Sequence, residues 1–320
     1  MPEKGAYLKA KQSFLRKQYV LANQVHVDSL LGNVSVKYKC AGMIGELVAP
    51  SVPVKKTSDL YRVYDRNLRI PETRRANGAE AREHTFEVST ASYQLHKEAL
   101  KDFVTDDDAD NYDLADLRSE TVEELTEKVM MRHELDVASL FTTTNWSLNV
   151  SLAAGAQFSS NTITSNPIPV FQTGASTVIA NGAPKPNFGI LPRAGKISCL
   201  NHVSVLDRVK YTSSEIDLNK LAALFDLEKG LLSPEAAYDN SNLGATTTMT
   251  NFYGDNAFLG YKPDAPGPLK PSSLYTFRKA TNKVKRWYVE EREAECIEVQ
   301  IQYDVKVVAS LSGYLIRDID

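Results

Sequence analysis

The sequence predicts an α+β fold in which one long helix and an extended, charged β-ribbon are the dominant elements. Three patterns along the 320 residues support this prediction. Residues 60–88 carry strand-forming side chains that fold back near Asn77-Gly78, and residues 117–141 have helical periodicity. Near the end of the chain, apolar residues alternate at positions 297, 299, 301 and 303, which is typical of a strand.

The ribbon is predicted to have an outgoing arm at residues 60–70 and a return arm at residues 82–88. Both arms mix β-forming residues with charges on both faces, so we expect that neither face forms a core. Asn77-Gly78 predicts the turn because both residues tolerate positive φ. A two-stranded ribbon is at best marginally stable in water, so we expect outside support, most simply from another copy of the same chain.

An unusually acidic segment precedes the long helix and is predicted to be a loop. Its aspartates are Asp102, Asp106, Asp107, Asp108, Asp110, Asp113 and Asp116. Thr121 and Glu124 have the spacing of a capping box, which predicts that the helix begins close to them.

The helix predicted at residues 117–141 carries Glu134 and has two apolar strips. The main strip is Val122, Leu125, Val129, Val137 and Leu140, and the second strip is Met131, Leu135 and Ala138. A helix of this length reaches about 37 Å at 1.5 Å per residue. We therefore expect a spine that packs on two sides.

Seven further elements are predicted from periodicity and from glycine or proline breaks. They are helices at 167–181, 203–210 and 219–225, a strand at 197–200, a glycine-punctuated strand region at 251–261, and paired strands at 285–291 and 297–303. Prolines at positions 263, 266, 268 and 271 predict a stiff linker after the fifth of these elements.

Composition indicates an ordinary globular protein, with 42% hydrophobic residues and a mean hydropathy of −0.31. No apolar run approaches about 18 residues and the first residues lack the apolar core of a signal peptide, so we expect a cytosolic chain with no membrane contact. Cys40, Cys199 and Cys296 are widely spaced, which favours reduced thiols and makes zinc improbable.

Enzyme and metal motifs fail when their spacing is checked. The stretch from Gly189 to Gly195-Lys196 has Ile197 where a phosphate-binding loop needs Ser or Thr, so a turn entering a strand is the better interpretation. Residues 106–117 lack the glycine and the closing glutamate of a calcium loop. The five histidines show no metal-binding spacing. We expect no catalytic residue, no metal and no cofactor.

Several segments, taken in order, resemble the major capsid proteins of tailed bacteriophages. They are residues 42–50 entering the ribbon, 74–78 at its tip, 93–100 leaving it, 131–138 in the spine, and 166–168, 186–188, 202–206 and 312–316 further on. This family has the Hong Kong-type shell fold, which encapsulins and the herpesvirus capsid floor share. The similarity covers residues 42–320, and the polar segment 148–161 departs from it because the family usually has a shorter link there.

The resemblance implies five regions. They are an N-terminal arm at 1–45, an extended β-ribbon or E-loop at 46–97, a peripheral domain with the spine helix at 98–187, an axial domain at 188–270, and C-terminal strands at 271–320 that return to the peripheral domain.

The same resemblance implies a function. The chain would self-assemble as pentamers and hexamers into an icosahedral head that encloses double-stranded DNA, so its location would be the virion after assembly in the host cytoplasm. Separate scaffolding, portal and cement proteins would be its partners. An encapsulin-like compartment with protein cargo is the alternative, and an unrelated enzyme with a charged ribbon is a distant third.

Charge patterning suggests which surfaces would meet between copies. In the resembled fold the ribbon lies across a neighbour's spine domain, so ribbon cations would meet acidic residues there. The candidates are Arg66, Arg69, Arg74 and Arg75 against Asp106, Asp107, Asp108, Glu120, Glu123 and Glu127. Some shells of the family are welded by a lysine–asparagine bond, but this ribbon tip carries arginines, so we expect a non-covalent shell.

Charge also bears on nucleic acid. A net charge of −3 argues against a dedicated DNA-binding protein, so contact with packaged DNA would be non-specific. The first forty residues are nevertheless basic. They form either a solvated arm or a contact for a scaffolding protein, an acidic patch of a neighbour or DNA.

Overall fold

The computed structural model describes residues 26–27, 42–63, 73–75, 77–78, 80–81, 83, 89–111, 117–210, 216–242, 244–267, 270–279 and 282–320. The helices are α1 (Gly45–Val48), α2 (Asp106–Asn111), α3 (Leu117–Ser139), α4 (Pro167–Ala180), α5 (Arg193–Leu200), α6 (Val203–Val209) and α7 (Leu218–Leu224). Most of the N-terminal arm and much of the ribbon, Arg66 and Arg69 included, lie outside the described residues.

Fifteen strands are described. They are β1 (His26–Val27), β2 (Ser51–Val54), β3 (Ser58–Val63), β4 (Ser89–Gln94), β5 (His96–Thr105), β6 (Asn149–Ser151), β7 (Phe188–Ile190), β8 (Leu231–Leu232), β9 (Ala237–Asp239), β10 (Met249–Asn251), β11 (Ala257–Gly260), β12 (Leu274–Lys279), β13 (Lys283–Val289), β14 (Ala294–Val307) and β15 (Tyr314–Arg317).

The chain divides into two compact units, and the smaller comprises residues 1–39, 97–129 and 281–302. Its framework is the antiparallel pair β13 and β14, in register from Lys283 opposite Gln300 to Val289 opposite Ala294. The first half of α3 places Val122 and Leu125 against Val284, Ile297, Val299 and Val104. Positions 297 and 299 of the predicted alternation, and Val122 and Leu125 of the main strip of the helix, are therefore core positions of this unit.

The larger unit comprises residues 40–96, 130–280 and 303–320. Its main sheet has the order β6-β15-β11-β7-β8, with β6 and β8 parallel to their neighbours. Helices α4 to α7 surround a large core, in which the rings of Phe171 and Phe225 stack at 4.1 Å. The segment 148–161, whose local structure departed from the resemblance, supplies the edge strand β6 and the fully buried Phe158.

The larger unit also holds the root of the ribbon. Strands β3 and β4 are antiparallel from Ser58 opposite Gln94 to Val63 opposite Ser89. Strand β2 runs parallel to β12, and β12 pairs with residues 303–307 of β14. The chain thus passes from α1 through β2 directly into the ribbon.

Four sequence predictions about local structure are wrong. Residues 197–200 belong to helix α5 rather than to a strand, because Gly195 lets the helix pack against Ile319 and Leu191. The stretch from Gly189 to Lys196 therefore leads from a strand into a helix and not from a turn into a strand.

The acidic segment is also not a loop over its described residues, 102–111, whereas Asp113 and Asp116 lie outside the described residues. Asp102 lies in β5, and Asp106 begins α2, where Thr105 Oγ1 accepts the Asp108 N–H at 3.1 Å and donates to its carboxylate at 2.6 Å. The capping box was placed at the wrong position: Thr121 lies inside α3 and its hydroxyl donates to the carbonyl of Leu117 at 2.8 Å. Local hydrogen bonding by Thr105 stabilises a turn that the sequence pattern did not reveal.

The predicted helices at 117–141, 167–181, 203–210 and 219–225 correspond to α3, α4, α6 and α7. Within the part of the chain that the structure describes, no helix combines the length and apolar character needed to cross a membrane.

Candidate assembly site at the ribbon root

The carboxylate of Glu134 binds the beginning of α1. Its Oε1 accepts the Ile44 N–H at 3.0 Å and its Oε2 accepts the Gly45 N–H at 2.6 Å. The Tyr253 hydroxyl donates to Oε1 at 2.8 Å. Glu134 is 2% exposed, so three donors satisfy a buried carboxylate that the spine presents to a segment about 90 residues earlier in the chain.

The pKa of Glu134 is raised by burial, while the hydrogen bonds from Ile44, Tyr253 and Gly45 oppose that shift. Burial, together with the charge of the Glu134 carboxylate, raises the pKa of the Tyr253 hydroxyl and keeps it a donor. A protonated Glu134 would lose one of its acceptor positions, so this arrangement of donors matches the ionised form.

The other end of α1 receives a cation. Lys262 Nζ donates to the carbonyl oxygen of Leu47 at 2.8 Å and lies over the Phe188 ring, 5.0 Å from its centroid. Burial, followed by the nearby charge of Lys229, lowers the pKa of Lys262. An ion pair of 2.8 Å between Arg278 and Glu46 adds a contact at the side of the helix.

His133 lies next to this helix and is neutral. The hydroxyl of Thr276 donates its proton to the carbonyl of Ala49 at 3.0 Å, so it must accept from His133 Nε2–H, which is 3.2 Å away. His133 Nδ1 is buried without a hydrogen-bond partner. Burial, and secondarily the charge of Arg278, lowers the pKa of His133 to about 4.

One face of the ribbon root is buried against β12. The Tyr93 ring stacks on Phe277 at 4.6 Å, and the Tyr61 ring contacts Phe277 at 5.1 Å. The carboxylate of Asp304 accepts the Gln94 N–H at 2.9 Å. The expectation that neither ribbon face forms a core is therefore wrong for the root, because alternate residues of β3 and β4 contact an aromatic cluster of the same subunit.

Two arginines at the ribbon tip, Arg74 and Arg75, are exposed. Arg74 and Arg75 precede a turn at Asn77-Gly78, where Gly78 has φ +85°. Positive φ at this glycine agrees with the turn predicted from the sequence. A partner for Arg66 and Arg69 stays a prediction because both lie outside the described residues.

The acidic candidates lie on α2 and α3. Asp106 accepts a hydrogen bond of 2.5 Å from the Tyr288 hydroxyl, and Asp108 is bonded to Thr105, so both have partners in their own unit. Glu120 and Glu123 are exposed, Glu127 is half-buried and Asp107 is exposed. The proposed contact of these acids with ribbon arginines of a neighbour stays a prediction.

Sequence reasoning missed Tyr253, Lys262 and Asp304, and it named Glu134 without a role. Glu134 lies three residues before Val137, a member of the main apolar strip, and a charge beside such a strip signals a specific partner. Nothing local indicates which backbone groups it would bind.

Comparisons with known proteins show which proteins this chain resembles in sequence and in fold. No protein-family model matches the chain. A curated relative, the major capsid protein of Burkholderia phage BcepMu, is 24% identical over 305 residues, which are 92% of this chain and 97% of that protein.

Solved structures match over similar lengths. A phage-related protein from Bordetella bronchiseptica has a TM-score of 0.74 at 23% identity, covering 92% of this chain and 97% of that chain. The capsid of cyanophage P-SCSP1u has a TM-score of 0.61 at 11% identity, covering 93% and 92%. An encapsulin from Synechococcus elongatus has a TM-score of 0.53 at 11% identity, covering 88% of each chain.

The α+β fold and the family resemblance predicted from the sequence are thus confirmed. The chain has the Hong Kong-type shell fold of tailed-phage major capsid proteins, which encapsulins also use.

Proposed function

We propose that this protein is the major capsid protein of a tailed phage or prophage. Copies of the chain assemble as pentamers and hexamers into an icosahedral head that encloses double-stranded DNA. The observation that carries the proposal is the similarity to the BcepMu major capsid protein over 92% of this chain and 97% of that protein. A match of that extent leaves no large part of either chain unaccounted for.

The ribbon gives the proposal a physical basis. Its root is packed on its own subunit through Tyr61 and Tyr93, and its turn presents exposed Arg74 and Arg75. A two-stranded element buries little area by itself and is at best marginally stable in water, so a further surface that covers it would stabilise it. A neighbouring copy supplies that surface in a closed shell.

The partners follow from the same role. The chain binds copies of itself, a separate scaffolding protein, a portal and, in some heads, a cement protein. Its contact with packaged DNA is non-specific, since a net charge of −3 argues against a dedicated DNA-binding protein. Its location is the virion, after assembly in the host cytoplasm. We expect a structural role without catalysis and without a cofactor.

Electron microscopy and sedimentation of the purified protein test the proposal. Closed particles or capsomers are the expected result. A 35.5 kDa monomer at every concentration and ionic strength would contradict it. Two observations together would instead support the encapsulin alternative. The particles would enclose a protein cargo, and the gene for this chain would lie beside a cargo-enzyme gene without portal or terminase genes.

A further inference from the structure

Helix α1 cannot owe its conformation to its own sequence. It has only four residues, and a single isolated turn is unfavourable because nucleation fixes several dihedral angles for one hydrogen bond. Leu47 is largely exposed, whereas Ile44, Val48 and Ala49 are buried and anchor the segment in the core, although burial alone does not fix the backbone as a helical turn. The helical conformation must therefore come from contacts with distant parts of the chain.

Two distant residues of opposite charge supply those contacts. Glu134 accepts from the N–H groups at the beginning of the helix, and Lys262 donates to a carbonyl near its end. This order of charges matches the helix dipole, whose beginning is positive and whose end is negative. The helix has no basic residue in its own last turn, so Lys262 fills a position that the local sequence leaves open.

Gly45 shows that the chain accommodates this contact. A Cβ atom at this position would lie 2.5 Å from Glu134 Oε2 and 3.3 Å from His133 Nδ1. Real Cβ atoms do not approach an oxygen that closely, so only glycine allows the carboxylate to reach the backbone here. Glycine is a poor helix former, which makes its presence as the first residue of so short a helix informative.

We propose that Glu134 and Lys262 are positioning residues that clamp α1 at its two ends and thereby set the direction in which the chain enters the ribbon. The inference rests on the proposed function, because the direction of the ribbon matters where the ribbon binds a neighbouring copy. The term clamp here means Glu134, Lys262 and the helix they bind.

The clamp is connected to the ribbon by short, bonded segments. Two residues separate α1 from strand β2. This strand is parallel to β12, from Ser51 opposite Thr276 to Val54 opposite Lys279. Three further residues separate β2 from β3. In that short segment the carbonyl of Thr57 accepts the Leu95 N–H at 2.8 Å. A shift of α1 is therefore passed to the ribbon root over a few residues that have little freedom to absorb it.

Two variants remove one charge each while keeping the shape of the side chain. Glu134→Gln places an amide donor beside two N–H donors, and Lys262→Met keeps an apolar stem over Phe188 but cannot bond Leu47. The matched controls are Glu228→Gln and Lys283→Met, which alter exposed residues of the same types. For all five proteins, wild type included, amide hydrogen exchange rates are measured and particles are imaged by electron microscopy.

We expect amide exchange at Ile44 and Gly45 to quicken about tenfold or more in both clamp variants, because charge-assisted hydrogen bonds are lost. Exchange in β3 and β4 should quicken as well, and particles should become fewer or irregular, whereas the controls should behave as wild type. Wild-type exchange at Ile44 and Gly45 in both variants would overturn the clamp. Faster exchange there with wild-type β3, β4 and particles would overturn its effect on the ribbon.

The two proposals fail in different ways. If the wild type forms no particles under any condition, the proposed function fails. The amide exchange rates at Ile44, Gly45 and the ribbon root still show whether Glu134 and Lys262 hold α1 in place. If Glu134→Gln does not fold, Lys262→Met decides the same question because its side chain is only half-buried. Gly45→Ala is a third test, and exchange as slow as in the wild type would contradict the close approach of the carboxylate.

Discussion

Stability should fall as the pH is lowered from neutral because His133 is buried in its neutral form. Its pKa is lowered from 6.5 to about 4 in the folded chain. A depressed pKa means that the unfolded state binds the proton more readily, so stability is fully present above pH 6.5 and is lost as the pH falls toward the folded pKa. His133 Nδ1 faces no acceptor, so the protonated ring would place an unpaired donor in the interior.

The size of the effect follows from the two pKa values. Between about pH 7.5 and about pH 5, a shift from 6.5 to about 4 removes about 2 kcal/mol of unfolding free energy, and the full shift of about 2.5 units corresponds to about 3 kcal/mol. Against a typical domain stability of about 5–15 kcal/mol this loss is readily measured.

The assay is urea unfolding of unassembled subunits at both pH values, with wild type and His133→Gln compared. The variant should lose about 2 kcal/mol less than the wild type over this interval because its side chain does not titrate. Glu134 has a raised pKa, so its protonation opposes the loss, but it is present in both proteins and cancels in the comparison. His202, whose pKa burial also lowers, cancels likewise.

The control is His96→Gln, since His96 is exposed. It should show the wild-type dependence on pH. Equal losses in the wild type and in His133→Gln would refute the assignment of a buried neutral imidazole at position 133.

Three further predictions concern the spine, α2 and the ribbon tip. Val129→Asp puts an unpaired charge at a position that is 2% exposed and should cost several kcal/mol, so a soluble protein with a wild-type unfolding midpoint would contradict the burial. Thr105→Ala removes the cap of α2 and should lower unfolding free energy by about 1 kcal/mol, which denaturant titration would detect; no change would show that the cap is dispensable. Arg74→Glu combined with Arg75→Glu should leave the monomer folded and slow assembly, and the difference in assembly rate from the wild type should shrink as salt is raised. Assembly of the double variant at the wild-type rate at low salt, followed by light scattering, would contradict the proposed contact.

The long helix was predictable because periodicity is a local property. Four members of the main strip, Val122, Leu125, Val129 and Val137, lie on one face of α3 and are buried. The fifth, Leu140, lies just beyond the end of the helix and is half-buried. The second strip at Met131, Leu135 and Ala138 is half-buried. The strand predicted at 197–200 failed because four residues are too few to distinguish helix from strand by pattern alone.

The candidate site was predictable in its parts and not in its connections. The turn at Asn77-Gly78 and the exposed arginines beside it follow from residue types whose backbone and charge preferences are intrinsic. The buried face of the ribbon root did not follow, because Tyr61 and Tyr93 are amphipathic side chains whose burial depends on what lies opposite them. Phe277, which lies opposite them, is about 200 residues away along the chain.

The sequence by itself determined the α+β class, the presence and approximate position of the spine, the C-terminal strand pair and the resemblance to capsid proteins, because these depend on periodicity, turn residues and the order of short segments. Only the tertiary structure decided that Glu134, Tyr253 and Lys262 meet at the four-residue helix α1. The physical reason is that a buried charge is tolerated only where donors or acceptors satisfy it, and in this chain those groups are backbone atoms of distant segments. Backbone N–H and C=O groups are the same at every residue, so no residue type in the sequence indicates which of them a carboxylate or an ammonium group will bind.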